Sequence, residues 1–122
     1  MTRQAERGAR DLYWEVICED PRDEGKLEAN VVRLEKCLAL NPFLAEPNTL
    51  LAQCLLVRGD FDGAAKAADR ALELFVQWGT NWDKRVSYEA WIAWTRVLSQ
   101  HAEERTPWHT NSWGVINLGL VK

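Results

Sequence analysis

Several things are missing from this 122-residue chain, and each absence removes a class of protein. No apolar run approaches the roughly 20 residues that a bilayer-spanning helix needs, so a membrane span is not expected. The first residues, MTRQAERGARD, are charged from the outset and contain no apolar stretch of the kind a secretory signal requires. They are basic at Arg3, Arg7 and Arg10 but also carry Glu6 and Asp11, more acid than a transit peptide usually holds. The net charge of −3 comes with no cluster of Lys and Arg, which argues against nucleic acid as a partner. Cysteine is scarce. Cys18, Cys37 and Cys54 are odd in number and contain no C-x-x-C, so neither a zinc site nor a disulfide framework is expected. They read as reduced thiols packed on helices, which implies a reducing intracellular compartment: cytoplasm, or an organelle stroma or matrix reached through a leader since removed. Glycine is scattered, so there is no phosphate loop or dinucleotide fingerprint. The acids Glu19, Asp20, Asp23 and Glu24 enclose Pro21 and lack the alternating oxygen ligands of a calcium loop; they read as a hydrated turn.

Catalytic chemistry is equally unmarked. His101 and His109 are the only histidines, no G-x-S-x-G occurs, and no local motif ties a cysteine to either imidazole. His101 reads as a residue near a helix C-terminus, where partial positive charge is favoured. No enzyme activity, cofactor or metal is expected.

What the chain does contain is a period. A shift of 34 residues pairs Ile17 with Leu51, Cys18 with Ala52, Gly25 with Gly59 and Leu27 with Phe61. It also pairs Lys36 with Arg70, Cys37 with Ala71, Leu38 with Leu72 and Leu40 with Leu74. Each unit reads as two helices. In the first, a helix from about Ala5 to Glu19 is stopped by Asp20-Pro21, and a second runs from about Glu24 to Leu40 before Asn41-Pro42. In the second, Pro47 sits in the first turn, and Leu50, Leu51, Cys54, Leu55 and Val57 follow at helical spacing. Gly59 then supplies a turn and Asp60 a cap for a helix from Phe61 to about Trp78. That helix carries Ala64, Ala65, Ala67, Ala68 and Ala71, small residues that let two helix backbones approach closely. Beyond residue 76 the register is lost. A long helix is expected over about Asp83 to Glu104, with Ala90, Trp91, Trp94, Val97, Leu98 and His101 on one stripe and Tyr88, Ile92 and Thr95 widening it. Thr106-Pro107 ends it, and the apolar tail, with Thr110 or Asn111 as a cap for a last short helix, reads as a cap sealing the array.

The segment LLAQCLLVRGDFDGAAKAADRALEL (50–74) resembles a tetratricopeptide repeat, with Leu51, Ala52, Leu55, Gly59, Phe61, Ala64 and Ala71 on its signature places. The preceding unit resembles a degenerate copy through Trp14, Ile17, Gly25, Leu27 and Leu40-Asn41-Pro42; it departs from the pattern at Pro21 and at Asn30, where a small apolar residue is expected. The second unit departs at Asn48, where the aromatic is missing, and at Val76, where the terminal proline is missing. The ending WDKRVSYEAWIAWTRVLSQ…SWGVINLGLVK is similar to the ends of short tetratricopeptide-like proteins of plants and algae, a likeness that implies no activity. The family resemblance implies an all-α, right-handed array of antiparallel helix hairpins: a degenerate repeat over 11–44, a second over 45–78, and a long helix with a C-terminal cap over 79–122. It also implies protein recognition, as a scaffold or assembly factor, in a groove lined by the first helix of each hairpin. Carried over by position, that groove presents Leu12, Glu15 and Glu19 from the first unit and Glu46, Thr49, Gln53 and Leu56 from the second. Family members that grip the acidic end of heat-shock chaperones use Lys, Asn and Arg at these places. Glu, Glu, Thr and Gln here point instead to a basic or neutral ligand, if Glu15 and Glu19 are more than a solvated helix face.

Seven tryptophans stand out in a chain this short. Trp91 and Trp94, three apart on an apolar stripe, fit core packing. Trp78, Trp82 and Trp108 lie beside helix breakers and are candidate partner contacts. A second reading is structural: two hairpins fall short of the usual three for a self-standing array, so the surface would serve homo-oligomerisation or insertion into a larger complex.

Overall fold

The computed structural model describes residues 3–18 and 24–106, and all regular structure among them is helical. The elements are α1 (Arg3–Cys18), a 3₁₀ turn (Glu24–Lys26) leading directly into α2 (Leu27–Leu40), α3 (Ala45–Arg58), α4 (Phe61–Trp78) and α5 (Tyr88–Glu104). The expected tail cap, with Thr110 and Asn111, lies outside the described residues.

Local chemistry accounts for the breaks. Asn41 is extended (φ −142°, ψ 92°), as a residue before proline prefers, and its side chain accepts the N–H of Phe43 at 3.1 Å, closing a tight turn. Pro47 lies within the first turn of α3, where its missing N–H is harmless. At the other end of α3, Gly59 is left-handed (φ 87°). Its N–H bonds to the Leu56 carbonyl at 3.1 Å, and that of Asp60 to the Leu55 carbonyl at 2.8 Å, so the last carbonyls of the helix are satisfied. The carboxylate of Asp60 then accepts the Gly63 N–H at 2.9 Å and starts α4. The start of α4 lies 34 residues after that of α2, the spacing seen in the sequence, whereas α3 starts at Ala45 and α1 at Arg3.

Packing follows the same plan. α1 lies on α2, with Ala9, Tyr13 and Val16 of α1 buried, and the Cys37 thiol donates to the Ala9 carbonyl at 3.2 Å. α3 lies on α4, whose Ala64, Ala67, Ala68 and Ala71 are buried. α5 packs on both α4 and α3. With α2 on another side, α3 is enclosed, and eleven of its residues, Ala45–Leu50 and Ala52–Leu56, are buried. A helix buried all round needs partners for its polar side chains. Thr49 has one: its hydroxyl shares a 2.8 Å bond with that of Thr95, which donates to the Trp91 carbonyl at 2.7 Å. Gln53 has another, accepting the Trp94 indole N–H at 2.9 Å.

The long last helix starts at Tyr88, where its apolar pattern begins, five residues later than the expected Asp83. Residues 83–87 form a turn, and Ser87, whose hydroxyl accepts the Ala90 N–H at 3.1 Å, is the cap. Trp91 and Trp94 are core residues, stacked with centroids 5.0 Å apart. Among the described residues no helix is long and apolar enough to cross a membrane.

Replacing Gly59 by alanine tests the turn. A Cβ there meets nothing within 4 Å, so the penalty is the left-handed backbone alone. Urea unfolding of Gly59→Ala is expected to show a loss of about 1 kcal/mol.

Candidate functional site

The α4–α5 linker folds back over the N-terminal end of α3 and reaches α1, and Asp83 is where the three meet. Its backbone N–H donates to the Glu46 carboxylate at 2.6 Å, and its carbonyl accepts the Trp91 indole N–H at 3.0 Å and the Asn81 side-chain amide at 2.7 Å. Its carboxylate accepts the Tyr13 hydroxyl, 70 residues away in sequence, and the guanidinium of Arg85 through both Nε and Nη2. The same Arg85 lies over the Trp14 ring at 4.9 Å, and Arg10 over the Trp82 ring at 5.4 Å. Tyr13, Trp14 and Trp82 pack together, with Tyr13–Trp82 centroids 5.0 Å apart.

Burial pushes the Asp83 carboxyl up, but the Arg85 fork, the Tyr13 hydroxyl and the Arg85 N–H outweigh it and hold the group below its ordinary 3.8. Burial and then the Asp83 charge raise the Tyr13 hydroxyl well above 10, so it stays a donor. Glu46 is 1 % exposed. Burial lifts its carboxyl above 4.5, against the pull of the backbone N–H groups of Asp83, Glu46 and Trp82.

This arrangement corrects the expected groove. All four residues from α3, Glu46, Thr49, Gln53 and Leu56, are buried, because the linker covers the start of α3 and α5 lies along the rest; of them only Glu46 borders the cleft described below. The polar face that would have met a ligand meets Asp83, Thr95 and Trp94 instead. In the first unit Leu12 is partly buried against the core, and Glu15 is exposed and faces Arg33 at 3.5 Å. α1 makes no broad contact with α3 to continue such a groove among the described residues. Glu19 and Trp108 lie outside the described residues.

The two described candidate tryptophans are brought together at a cleft of about 550 Å³. Trp78, at the end of α4, is 59 % exposed; Trp82 is partly buried and shared between the cleft and the α1 cluster. Phe43, Leu44, Glu46 and Lys84 complete most of the lining. Phe43, 52 % exposed, is the residue that sequence reasoning passed over. The signal was present: Asn41-Pro42 forces a turn that sets the next side chain outside the helix stripe. Lys84 donates to the Thr80 hydroxyl at 2.8 Å. Elsewhere Cys37 and Cys54 are buried free thiols, each pushed up to about 12 by burial first of all, which leaves them poor nucleophiles. His101 sits in the last turn of α5 and its Nδ1 is 3.3 Å from the Thr106 carbonyl. Among the described residues no three His, Cys, Asp or Glu side chains converge to hold a metal. Compared with known proteins, the chain matches no protein-family model, no curated protein and no solved structure.

Two measurements probe the junction. Tyr13→Phe removes a buried donor to a carboxylate and is expected to lower the free energy of unfolding by about 2 kcal/mol. The pH dependence separates the two acids. Asp83, held low, contributes stability that is full above 3.8 and is lost as pH falls through its folded value. Glu46, held high, favours the folded state below 4.5 and loses that contribution as pH rises through its folded value. The stability of the natural protein relative to Glu46→Gln is therefore expected to decline from pH 4.5 upward. Relative to Asp83→Asn it is expected to decline below pH 3.8. Urea titrations across both windows read the two slopes.

Proposed function

We propose that this chain is a docking module of tetratricopeptide-like hairpins that binds another protein at the cleft of Phe43, Trp78 and Trp82. The observation that carries the reading is the pairing of two large, half-exposed aromatic side chains across one depression. Phe43 comes from the α2–α3 turn and Trp78 from the end of α4. Soluble proteins seldom leave such surface grouped without use, and aromatic side chains in a pocket are the usual anchors of binding energy. The wall they face is held in place: Trp82 and Lys84 flank Asp83, whose backbone and carboxylate are bonded to α1, α3 and α5. A rigid wall limits the ordering penalty of association. The groove on the first helices retains only Leu12 and Glu15 as described candidates, so the cleft supersedes it as the main docking surface. The buried free thiols Cys37 and Cys54 support a reducing compartment.

Val76, a further apolar side chain on α4, is 70 % exposed and favours a second reading, association between copies of the chain. Sedimentation velocity decides it: a monomer at all concentrations removes that reading.

The docking reading is tested by affinity capture from native extract with quantitative mass spectrometry. Tagged natural protein is compared with Phe43→Ala, Trp78→Ala and, as a groove control, Glu15→Lys. Partners recovered by the natural protein and by Glu15→Lys, and lost from both cleft variants, are the expected result. Equal recovery by all four proteins would remove the cleft from the interaction.

A further inference from the structure

We infer that the occupant of the cleft is a short segment of the partner that combines an apolar anchor with an acidic side chain. The inference rests on the docking reading above and adds the chemistry of the ligand. The apolar half follows from the lining: Phe43, Leu44, Trp78 and Trp82 surround a space of about 550 Å³, room for two or three side chains rather than a folded surface.

The acidic half follows from a charge census. Glu46 is the one carboxylate in the lining, and it is buried with its oxygens turned to backbone N–H groups of the linker and of its own helix. Asp83, in the wall, is paired with Arg85 and Tyr13. Arg85 is in turn held by Asp83 and lies over Trp14. Lys84 alone carries an exposed charge into the lining, and among the described residues it bonds the neutral Thr80 hydroxyl and no carboxylate. The charge exposed at the mouth is therefore that of Lys84, opposite in sign to what Glu15, Glu19 and Glu46 suggested when read as an open acidic groove. Recognition at such a mouth favours an anionic group beside the apolar one.

The same charge disfavours the two nearest alternatives. Pairing two copies cleft to cleft about a two-fold axis brings two Lys84 charges into one interface with no exposed carboxylate from either lining to meet them. Residues 107–122 of the chain contain no Asp or Glu with which to meet Lys84.

The test is a selection of random 12-residue displayed peptides on the immobilised natural protein, followed by fluorescence polarisation on the enriched sequences. Trp78→Ala and Lys84→Glu serve as comparisons, and circular dichroism confirms that both fold; Phe43→Ala replaces Trp78→Ala if it does not. Enriched peptides are expected to place Asp or Glu within a few residues of a large apolar side chain. Trp78→Ala should weaken them about thirtyfold, the effect of losing one strong anchor. Lys84→Glu should weaken the acidic peptides about fivefold and shift its own selection toward basic ones. Enrichment that depends on Trp78 but shows no acidic bias, or is indifferent to Lys84→Glu, overturns the inference and leaves the docking reading standing. No enrichment above the Trp78→Ala background overturns both. Self-association abolished by Trp78→Ala would place a second copy in the cleft and overturn the inference as well.

Discussion

A carboxylate that stays charged inside a protein must be surrounded by donors, and in this chain that requirement organises the linker between the last two helices. Asp83 takes the Tyr13 hydroxyl and the Arg85 guanidinium on its side chain. Its backbone gives an N–H to Glu46 and takes one from the Trp91 indole. One residue thereby fixes the linker to α1, to the start of α3 and to α5. The rest depends on it. The linker's path buries Glu46, positions Trp82 against α1, and turns Lys84 and Thr80 into the cleft. Had the linker stood away from α3, the buried polar face of that helix would lie open at its N-terminal end, and the cleft would lack a wall.

Removing the Tyr13 hydroxyl or the Arg85 guanidinium leaves the buried Asp83 carboxylate short of a donor. Such networks are therefore stiffer than their individual bonds suggest. The two acids also oppose one another in their response to protons: Asp83 is stabilising when ionised, whereas Glu46 carries its charge against the grain of its surroundings. The junction gains little from large excursions in pH in either direction.

Features with local causes were legible in the sequence. α4 begins and ends where the sequence places it, because Gly59, Asp60 and the alanine face are read within a few residues of one another. Trp91 and Trp94 fall in the core because their spacing matches a single helix face. What escaped was set by distant partners. Glu46, Thr49 and Gln53 form a polar stripe, and a polar stripe on a helix reads as a wet one. Nothing near them announces that a tryptophan N–H and a threonine hydroxyl some forty residues later will meet them. The expected last helix likewise reaches back to Asp83, yet α5 starts at Tyr88, since Asp83 is drawn to Tyr13 on α1 and Ser87 takes the cap. The cleft was half visible: Trp78 and Trp82 were marked by the breakers around them, whereas Phe43, hidden behind a proline, and Lys84, one charge among many, gained meaning only from their neighbours.

A linear stack of helix hairpins joins each unit only to the next, so across a break in the chain between two units a single packed interface is all that holds the two parts together. The bond from Tyr13 to Asp83 bypasses that order by joining the first hairpin to a segment beyond the second. The molecule is in effect closed into a ring, with α2–α3 packing as one seam and the Tyr13–Asp83 bond as the other. A nick in the turn at residues 41–44 would leave two pieces still gripping each other at both seams. The chain is thus suited to division into complementing halves, a property its repeat pattern alone would not confer.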